Sequence, residues 1–420
     1  MPKHPAYILK QDGRVAVFIP SIASLFEIPA EAEGQIPTEM SDPRPFRKGC
    51  SSKGRATFEP TSCTLVVTGQ CNLKCSYCYE DAGEEDCSKS FEPMPKEIAK
   101  ATIDLCLNNI KKRNLKTLNV RFFGGEPTQA LDVVQFAVEY AKEVAASDGI
   151  APYFGMTTNG ACEESVANWL AGNINRITFS IDGPKRIHDI QRYGSFDTVI
   201  RTGKILYDSM GGRLTLRITV SEMSVQELPS SVEFLLEQFP KSQIMIEPLF
   251  GIGRGKNEWC SPPEYSDFFE ALLDSMDVAE RHKGKVKCSL TNFNSLASGS
   301  FCGASGKGFL VNSDGDVYSC NRMIYADQEP AQPRFRYGKY NSKDHTFEVD
   351  QESYQWLSNM TFGSIPKCSG CFAKHMCRGD CPANKAVIYP DDFHRQPSYR
   401  CEEIKSFLTK YLFHRLDNTK

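Results

Sequence analysis

Six short apolar runs separated by amphipathic stretches dominate the chain from Thr61 to Ile246, and they leave few folds open. Residues 64–67, 118–122, 153–156, 177–181, 214–220 and 244–246 read as β-strands bounded by turn-forming residues. Helical spacing of apolar positions fills the gaps, at 95–112, 131–144, 163–170, 196–210 and 225–239. Regular alternation of this kind calls for parallel strands joined by crossover helices. An open sheet and a partial (β/α)6 TIM-like barrel both satisfy it, and either places active-site loops at the carboxyl ends of the strands.

The flanks read differently. In residues 1–60, Tyr7-Ile8-Leu9 and Val15 to Ile19 flank Gln11-Asp12-Gly13-Arg14, a hairpin signal. A short apolar segment from Ile22 to Ile28 precedes a polar, Pro-rich stretch that reads as a linker. Residues 288–405 are rich in Cys, Gly, Asp and Pro, so this part needs a staple other than an apolar core. The expected organisation is a β unit over 1–60, an α/β array over 61–287, a Cys-rich domain over 288–405 and a tail helix over 406–420.

Composition narrows the class. Hydrophobic residues are 40% and charged residues 24% of 420, which excludes disorder or a coiled coil as a description of the whole chain. A net charge of −3 offers no global basic field for nucleic acid or an anionic membrane. No apolar run approaches the ~20 residues of a membrane span, and no apolar stretch of the signal-peptide kind follows Met1-Pro-Lys-His-Pro5. A soluble, cytoplasmic protein is expected, with neither nucleic acid nor membrane as partner. Seventeen cysteines are an odd number and too sparse for a disulfide scaffold, whereas ten of them fall into two spaced groups. Such clustering in a reducing compartment points to metal binding or chemistry.

The first group, Cys71, Cys75 and Cys78, follows the first strand of the array. Three thiolates within eight residues can converge on one inorganic centre, and three ligands on a [4Fe–4S] cluster leave one iron open. The alternative is a zinc loop, but zinc favours C-x₂-C with a distant second pair, which does not follow nearby. The spacing C-x₃-C-x₂-C, with Tyr77 before the third cysteine, resembles the radical S-adenosylmethionine (SAM) superfamily. Later strand ends carry the rest of the resemblance: Gly124-Gly125-Glu126-Pro127, Thr157-Thr158-Asn159-Gly160, and Ser180-Ile181-Asp182-Gly183-Pro184 with His188, Asp189 and Arg192. The resemblance implies a cluster on the three cysteines and a SAM site built from Tyr77, Gly124, Gly125, Glu126, Pro127, Thr158, Asn159, Ser180, Asp182 and Arg192. Glu126 would accept from the SAM ammonium and Arg192 would pair with its carboxylate. Ser180 and Asn159 offer hydrogen bonds, and Tyr77 offers a flat face near adenine.

The second group comprises Cys302, Cys320, Cys368, Cys371, Cys377, Cys381 and Cys401. Its spacing resembles the seven-cysteine SPASM domain of peptide-modifying radical SAM enzymes, which implies two auxiliary [4Fe–4S] clusters and three in all. By motif position Cys368, Cys371, Cys377 and Cys401 would hold one, and Cys302, Cys320 and Cys381 the other. Where a sulfatase-maturing relative would carry one more cysteine, Gly308 stands; Cys288, Cys260 or a substrate donor could complete that set. A zinc ribbon using Cys368, Cys371, Cys377 and Cys381, with His375 in reserve, is the competing reading. The other seven cysteines (50, 63, 87, 106, 162, 260 and 288) are expected to be mostly packed residues.

The resemblance implies an enzyme that forms a 5′-deoxyadenosyl radical and oxidises a peptide or protein. The leading expectation is a thioether, carbon–carbon or ether cross-link in a ribosomally made precursor. Formylglycine formation by a sulfatase maturase is the runner-up, because Asn321 stands where that family's proposed base is an Asp. A non-catalytic metal-stabilised binding protein is the third. A leader segment of the precursor could add a strand to the hairpin at Tyr7 to Ile19, and a flavodoxin or ferredoxin would supply electrons. Asn312-Ser-Asp-Gly-Asp316 lacks the distal Glu of a calcium loop and reads as a hairpin turn. Gly251-Ile-Gly253-Arg-Gly255 opens no helix fit for a dinucleotide.

Overall fold

The computed structural model describes residues 3–42, 57–80, 92–256, 260–291, 299–324 and 332–418, so Cys50 and Cys87 lie outside it. The chain forms two compact units. One gathers Met1–Arg55, Cys288–Gly306 and Ser358–Lys420; the other gathers Ala56–Lys287 and Lys307–Leu357.

The N-terminal part of the first unit holds β1 (Lys3–Pro5), β2 (Tyr7–Gln11), β3 (Arg14–Ile19), β4 (Ser24–Ile28) and β5 (Glu39–Ser41). Strands β2-β3-β4 form one antiparallel sheet and β1-β5 another. Asp12 and Gly13 close the β2–β3 hairpin with φ of 48° and 77°. Two positive φ values give the turn the twist its strands need. Val17, Ile19 and Ile22 form the small core beneath it.

Among the described residues, the second unit is built on one sheet of eleven strands. Strands β6 (Ser62–Val66), β7 (Thr117–Phe123), β8 (Ala151–Thr158), β9 (Arg176–Ser180), β10 (Leu214–Val220), β11 (Gln243–Pro248) and β12 (Lys285–Lys287) run parallel in chain order. On the other side of β6 lies β13 (Leu310–Val311), also parallel, followed by antiparallel β14 (Asp316–Tyr318), β15 (Arg336–Asn341) and β16 (Thr346–Val349). Helices α1 (Lys96–Lys112), α2 (Leu131–Ala146), α3 (Glu164–Asn173), α4 (Lys185–Gln191), α5 (Phe196–Met210), α6 (Leu228–Gln238) and α7 (Tyr265–Arg281) make the crossovers, and α8 (Gln351–Ser358) follows β16. A strand order that never reverses, with right-handed crossovers, carries the helices to one face.

The other face is thereby left for a site. Along β10, Leu216, Ile218 and Val220 are buried, whereas the alternate Arg217 and Thr219 are only half-buried. Phe122, Phe154, Phe179 and Ile246 continue the buried row on neighbouring strands. Removing one such Phe costs about 3–5 kcal/mol.

Two boundaries differ from the sequence reading. The parallel array exceeds six strands, because β12 and β13 extend it at both ends. Three and two residues carry too little periodicity to announce a strand. The main sheet also continues past residue 288, through β13 to β16, and within it Asn312 to Asp316 is the expected hairpin turn.

The first unit closes with α9 (Lys374–Cys377), α10 (Pro382–Ile388) and α11 (Cys401–Asp417), so the terminal helix starts at Cys401 rather than 406. Helix α11 packs on β2 and β4. Arg14 donates to Asp417 at 2.8 and 3.0 Å and its guanidinium lies 5.1 Å from the Phe413 ring centre. Among the described residues no helix is long and apolar enough to cross a membrane.

Candidate active site and cysteine centres

Cys71, Cys75 and Cys78 lie on the loop that leaves β6. Cys78 N donates to Cys75 O at 3.2 Å, a turn that brings their side chains to one side. Leu73 N reaches Cys71 Sγ at 3.4 Å, and Asn159 Nδ2 reaches it at 3.6 Å. Burial pushes the Cys71 and Cys75 thiols well up, and Glu126 and the other two cysteines add to the rise at Cys71.

The loop is clasped from a segment to which the sequence reading assigns no role. Arg254 Nε donates to Cys75 O at 2.8 Å and its backbone N to Cys78 O at 3.0 Å. Gly253, at φ 56°, lies so close that a Cβ would meet Cys78 O at 2.6 Å. This is why the segment is glycine-rich: it approaches another backbone. Cys260 belongs here too, its sulfur accepting from Ser76 Oγ at 3.2 Å.

Beyond β7, Gly125 N donates to Thr68 O at 3.0 Å and Glu126 N to Gln70 O at 2.7 Å, so this turn lies along the cysteine loop. Pro127 opens a single helical turn behind it. The Glu126 carboxylate is fully buried. It accepts from Thr158 Oγ1 at 2.8 Å, Asn159 N at 2.7 Å, Thr128 N at 3.1 Å and Thr128 Oγ1 at 2.9 Å. Burial raises its pKa while those donors pull the other way. Glu126 thus ties the end of β7 to the end of β8.

A second buried network follows β9. Asp182 Oδ2 accepts from Tyr77 Oη at 2.6 Å and Arg192 Nε at 2.8 Å, and Oδ1 accepts from Thr219 N at 3.0 Å. The Arg192 guanidinium lies 5.3 Å from the Tyr77 ring centre. Burial drives the Tyr77 phenol far up, while at Arg192 burial is outweighed only by Asp182, Tyr77 and Cys75 together, and the pKa rises. His188 fits as a neutral ring. Its Nδ1 accepts from Asp182 N at 3.4 Å and its Nε2 meets Ser195 Oγ at 3.0 Å.

These networks border a cleft of about 940 Å³, its open mouth included. Cys75, Cys78, Tyr77, Gly124, Gly125, Glu126, Thr158, Asn159, Ser180 and Arg192 all line it. Pro127 and Asp182 are buried outside the lining. Sequence reasoning missed the opposite wall, where Arg217, Glu247, Phe250 and Arg322 also face the cleft. Arg322 stands 4.4 Å from the Phe250 ring centre, and Asn321 Nδ2 donates to Tyr79 Oη at 3.1 Å. Polar Arg217, Thr219 and Glu247 alternating with apolar neighbours is the signal the sequence carries for β10 and β11.

In the first unit, Cys368, Cys371, Cys377 and Cys401 line one open pocket of about 1080 Å³, its mouth included, together with Tyr7, Ile8 and Lys374. Burial pushes Cys368 up to about 11 and Cys377 further, with the neighbouring thiols contributing at both. Cys302 and Cys381 belong to this unit, whereas Cys320 belongs to the other.

The two sets consist of cysteines, and an iron–sulfur cluster takes one cysteine per iron, so their donor chemistry suits such a cluster.

Residues 65–235 match the family model of the radical SAM superfamily. The cysteine-type anaerobic sulfatase-maturating enzyme of Clostridium perfringens is 25% identical over 370 residues, 83% of this chain and 95% of that protein. Among solved structures, histidine-tagged anSMEcpe with bound AdoMet superposes with a TM-score of 0.67 at 24% identity, covering 86% of this chain and 95% of that one. Streptococcus suis SuiB bound to S-adenosylmethionine gives 0.52 at 13% identity, covering 95% and 100%. Both share the fold.

Proposed function

We propose that this radical SAM enzyme is a peptide maturase that oxidises a residue of a ribosomally made precursor and installs a cross-link. The observation that carries the reading is the cleft at the strand ends, which two cysteines of the first group line together with Glu126, Asn159, Ser180 and Arg192. Cys71, Cys75 and Cys78 would hold a [4Fe–4S] cluster with one iron left for SAM. When bound, cluster and SAM supply one-electron cleavage to methionine and a 5′-deoxyadenosyl radical that takes a hydrogen atom from the substrate.

The chain's own residues orient and shield. Leu73 N and Asn159 Nδ2 donate to the Cys71 sulfur, which favours its thiolate form. Glu126 fixes the Thr158–Asn159 turn, and Asp182 fixes Tyr77 and Arg192, so the cleft wall is set before any ligand enters. Cys368, Cys371, Cys377 and Cys401 would hold one auxiliary cluster, and Cys302 and Cys381 would contribute to another. These clusters would take up the electron left after bond formation, and a flavodoxin or ferredoxin would reduce the first. The hairpin at Tyr7 to Ile19 would recognise a leader segment in the cytoplasm.

Formylglycine formation is the second reading, favoured by likeness to the sulfatase-maturating enzyme along most of the chain. Against it stands Asn321, whose amide donates to Tyr79 Oη and cannot serve as a base. Co-expression with short reading frames adjacent to the gene, followed by fragmentation of the products, separates the two. A cross-link removes two hydrogens and suppresses backbone fragments between the joined residues. Formylglycine leaves those fragments intact and reacts with hydrazines, and that result would overturn the cross-link reading.

A further inference from the structure

Alternation along β10 turns Arg217 to the cleft side of the sheet, where it is half-buried. Its register neighbours are Ser180 on β9 and Met245 on β11. A guanidinium presents five donors in one plane and keeps its charge at any ordinary pH. Among the described residues, Arg217 nevertheless has no hydrogen bond and no ion pair.

The other charged groups of the lining do not supply one. Arg192 is bound to Asp182, and the Glu126 carboxylate is occupied by four donors. Glu80 and Glu247 also line the cleft, but neither pairs with Arg217. Arg322 lies over the rings of Phe250 and Tyr79, 4.4 and 5.9 Å from their centres. Burial and Glu80 raise the Tyr79 phenol pKa, whereas Arg217 and Arg322 both lower it, which sets the two guanidiniums about one ring.

The motif residues that would hold SAM come from the ends of β6 to β9. Arg217 stands on the next strand, beside Ser180 but outside those motifs. When ligands fill the cleft and displace its water, an unmatched guanidinium becomes costly. A carboxylate satisfies it with two parallel hydrogen bonds. We propose that Arg217 is a specificity residue that takes an Asp or Glu side chain of the peptide substrate and so seats an acidic segment beside the SAM site. The inference rests on the peptide-maturase reading above and narrows its substrate class.

The test selects binders from an mRNA-displayed library of random peptides. The bait is the full chain, reconstituted anaerobically and saturated with SAM without reductant, in parallel with Arg217→Gln, Arg217→Lys and Arg217→Glu. Peptides held by the parent should be enriched in Asp or Glu at one position. That enrichment should fall at least about tenfold in Arg217→Gln, survive in Arg217→Lys, and give way to Lys or Arg in Arg217→Glu. A merely structural role would not reverse the preferred charge. Equal acidic preference in the parent and Arg217→Gln overturns the proposal, as does no preference in the parent. Weaker binding of labelled SAM to Arg217→Gln in equilibrium dialysis overturns it too, because the arginine would then serve the SAM carboxylate. Dithionite added to the retained peptides tests the underlying reading separately. Cross-links formed without an acidic preference sink this proposal alone, whereas acidic peptides held through Arg217 but never cross-linked sink the cross-link reading and leave the carboxylate site standing.

Discussion

The Arg192 guanidinium is bound to the Asp182 carboxylate, Nε to Oδ2 at 2.8 Å, inside a pocket where both side chains are almost fully buried. The same oxygen accepts from Tyr77 at 2.6 Å. A SAM carboxylate would therefore share an arginine that already has a partner. Breaking a buried pair by removing one charge costs on the order of 3–5 kcal/mol. Asp182→Asn should lower the melting temperature and weaken SAM binding together. If Arg192→Lys lowers stability while the SAM dissociation constant stays put, Arg192 serves the wall of the cleft and not the ligand.

Glu126 accepts four hydrogen bonds from Thr128, Thr158 and Asn159. Glu126→Ala strands those donors at about 1–3 kcal/mol each. It should cut SAM affinity at least about tenfold, equivalent to roughly 1.4 kcal/mol, while iron on Cys71, Cys75 and Cys78 stays near the parent value. Equilibrium dialysis with labelled SAM checks this.

Gly253→Ala places a Cβ 2.6 Å from Cys78 O. The clasp must then open. The expected result is loss of up to about four iron per chain, read by iron assay, with the auxiliary signals retained. Gly212→Ala, where a Cβ meets open space, is the control.

Burial, with Arg192 adding, lowers the His188 pKa from 6.5 to about 4. Between those values the unfolded chain binds a proton that the folded chain does not. Stability from the neutral ring is therefore complete above about pH 6.5 and is lost as pH falls toward 4. The full effect is on the order of 3 kcal/mol. Melting temperatures followed across that window should fall less steeply in His188→Asn than in the parent.

Three clusters correspond to about twelve iron per chain. Replacing Cys71, Cys75 and Cys78 together should leave about eight and abolish SAM cleavage. Zinc alongside about four iron would remove the auxiliary clusters from the account.

Strands β6 to β11 of the parallel array were readable because they are five to eight residues long with helices between them. Motif residues at their ends could be placed with no structure at all. What escaped was set by contacts distant in sequence. Nothing local in Gly251 to Gly255 says that this segment holds a cysteine loop far upstream. Arg217 and Glu247 look like ordinary strand residues until alternation assigns them to the cleft. The hairpin of β2 and β3 was legible, but its packing against α11 was not, because that depends on the opposite end of the chain.

The hydrogen bond from Arg254 to Cys75 spans 179 residues. A ribosome exposes Cys71, Cys75 and Cys78 long before it has made the segment that clasps them. Until β11 has docked and Gly253 has reached Cys78, the loop has three thiols but lacks this clasp. Iron delivered to the nascent chain would meet a flexible chelator rather than a site. If these cysteines hold a cluster, its loading would be a late event in biogenesis, and a chain interrupted before Arg254 would be a poor recipient.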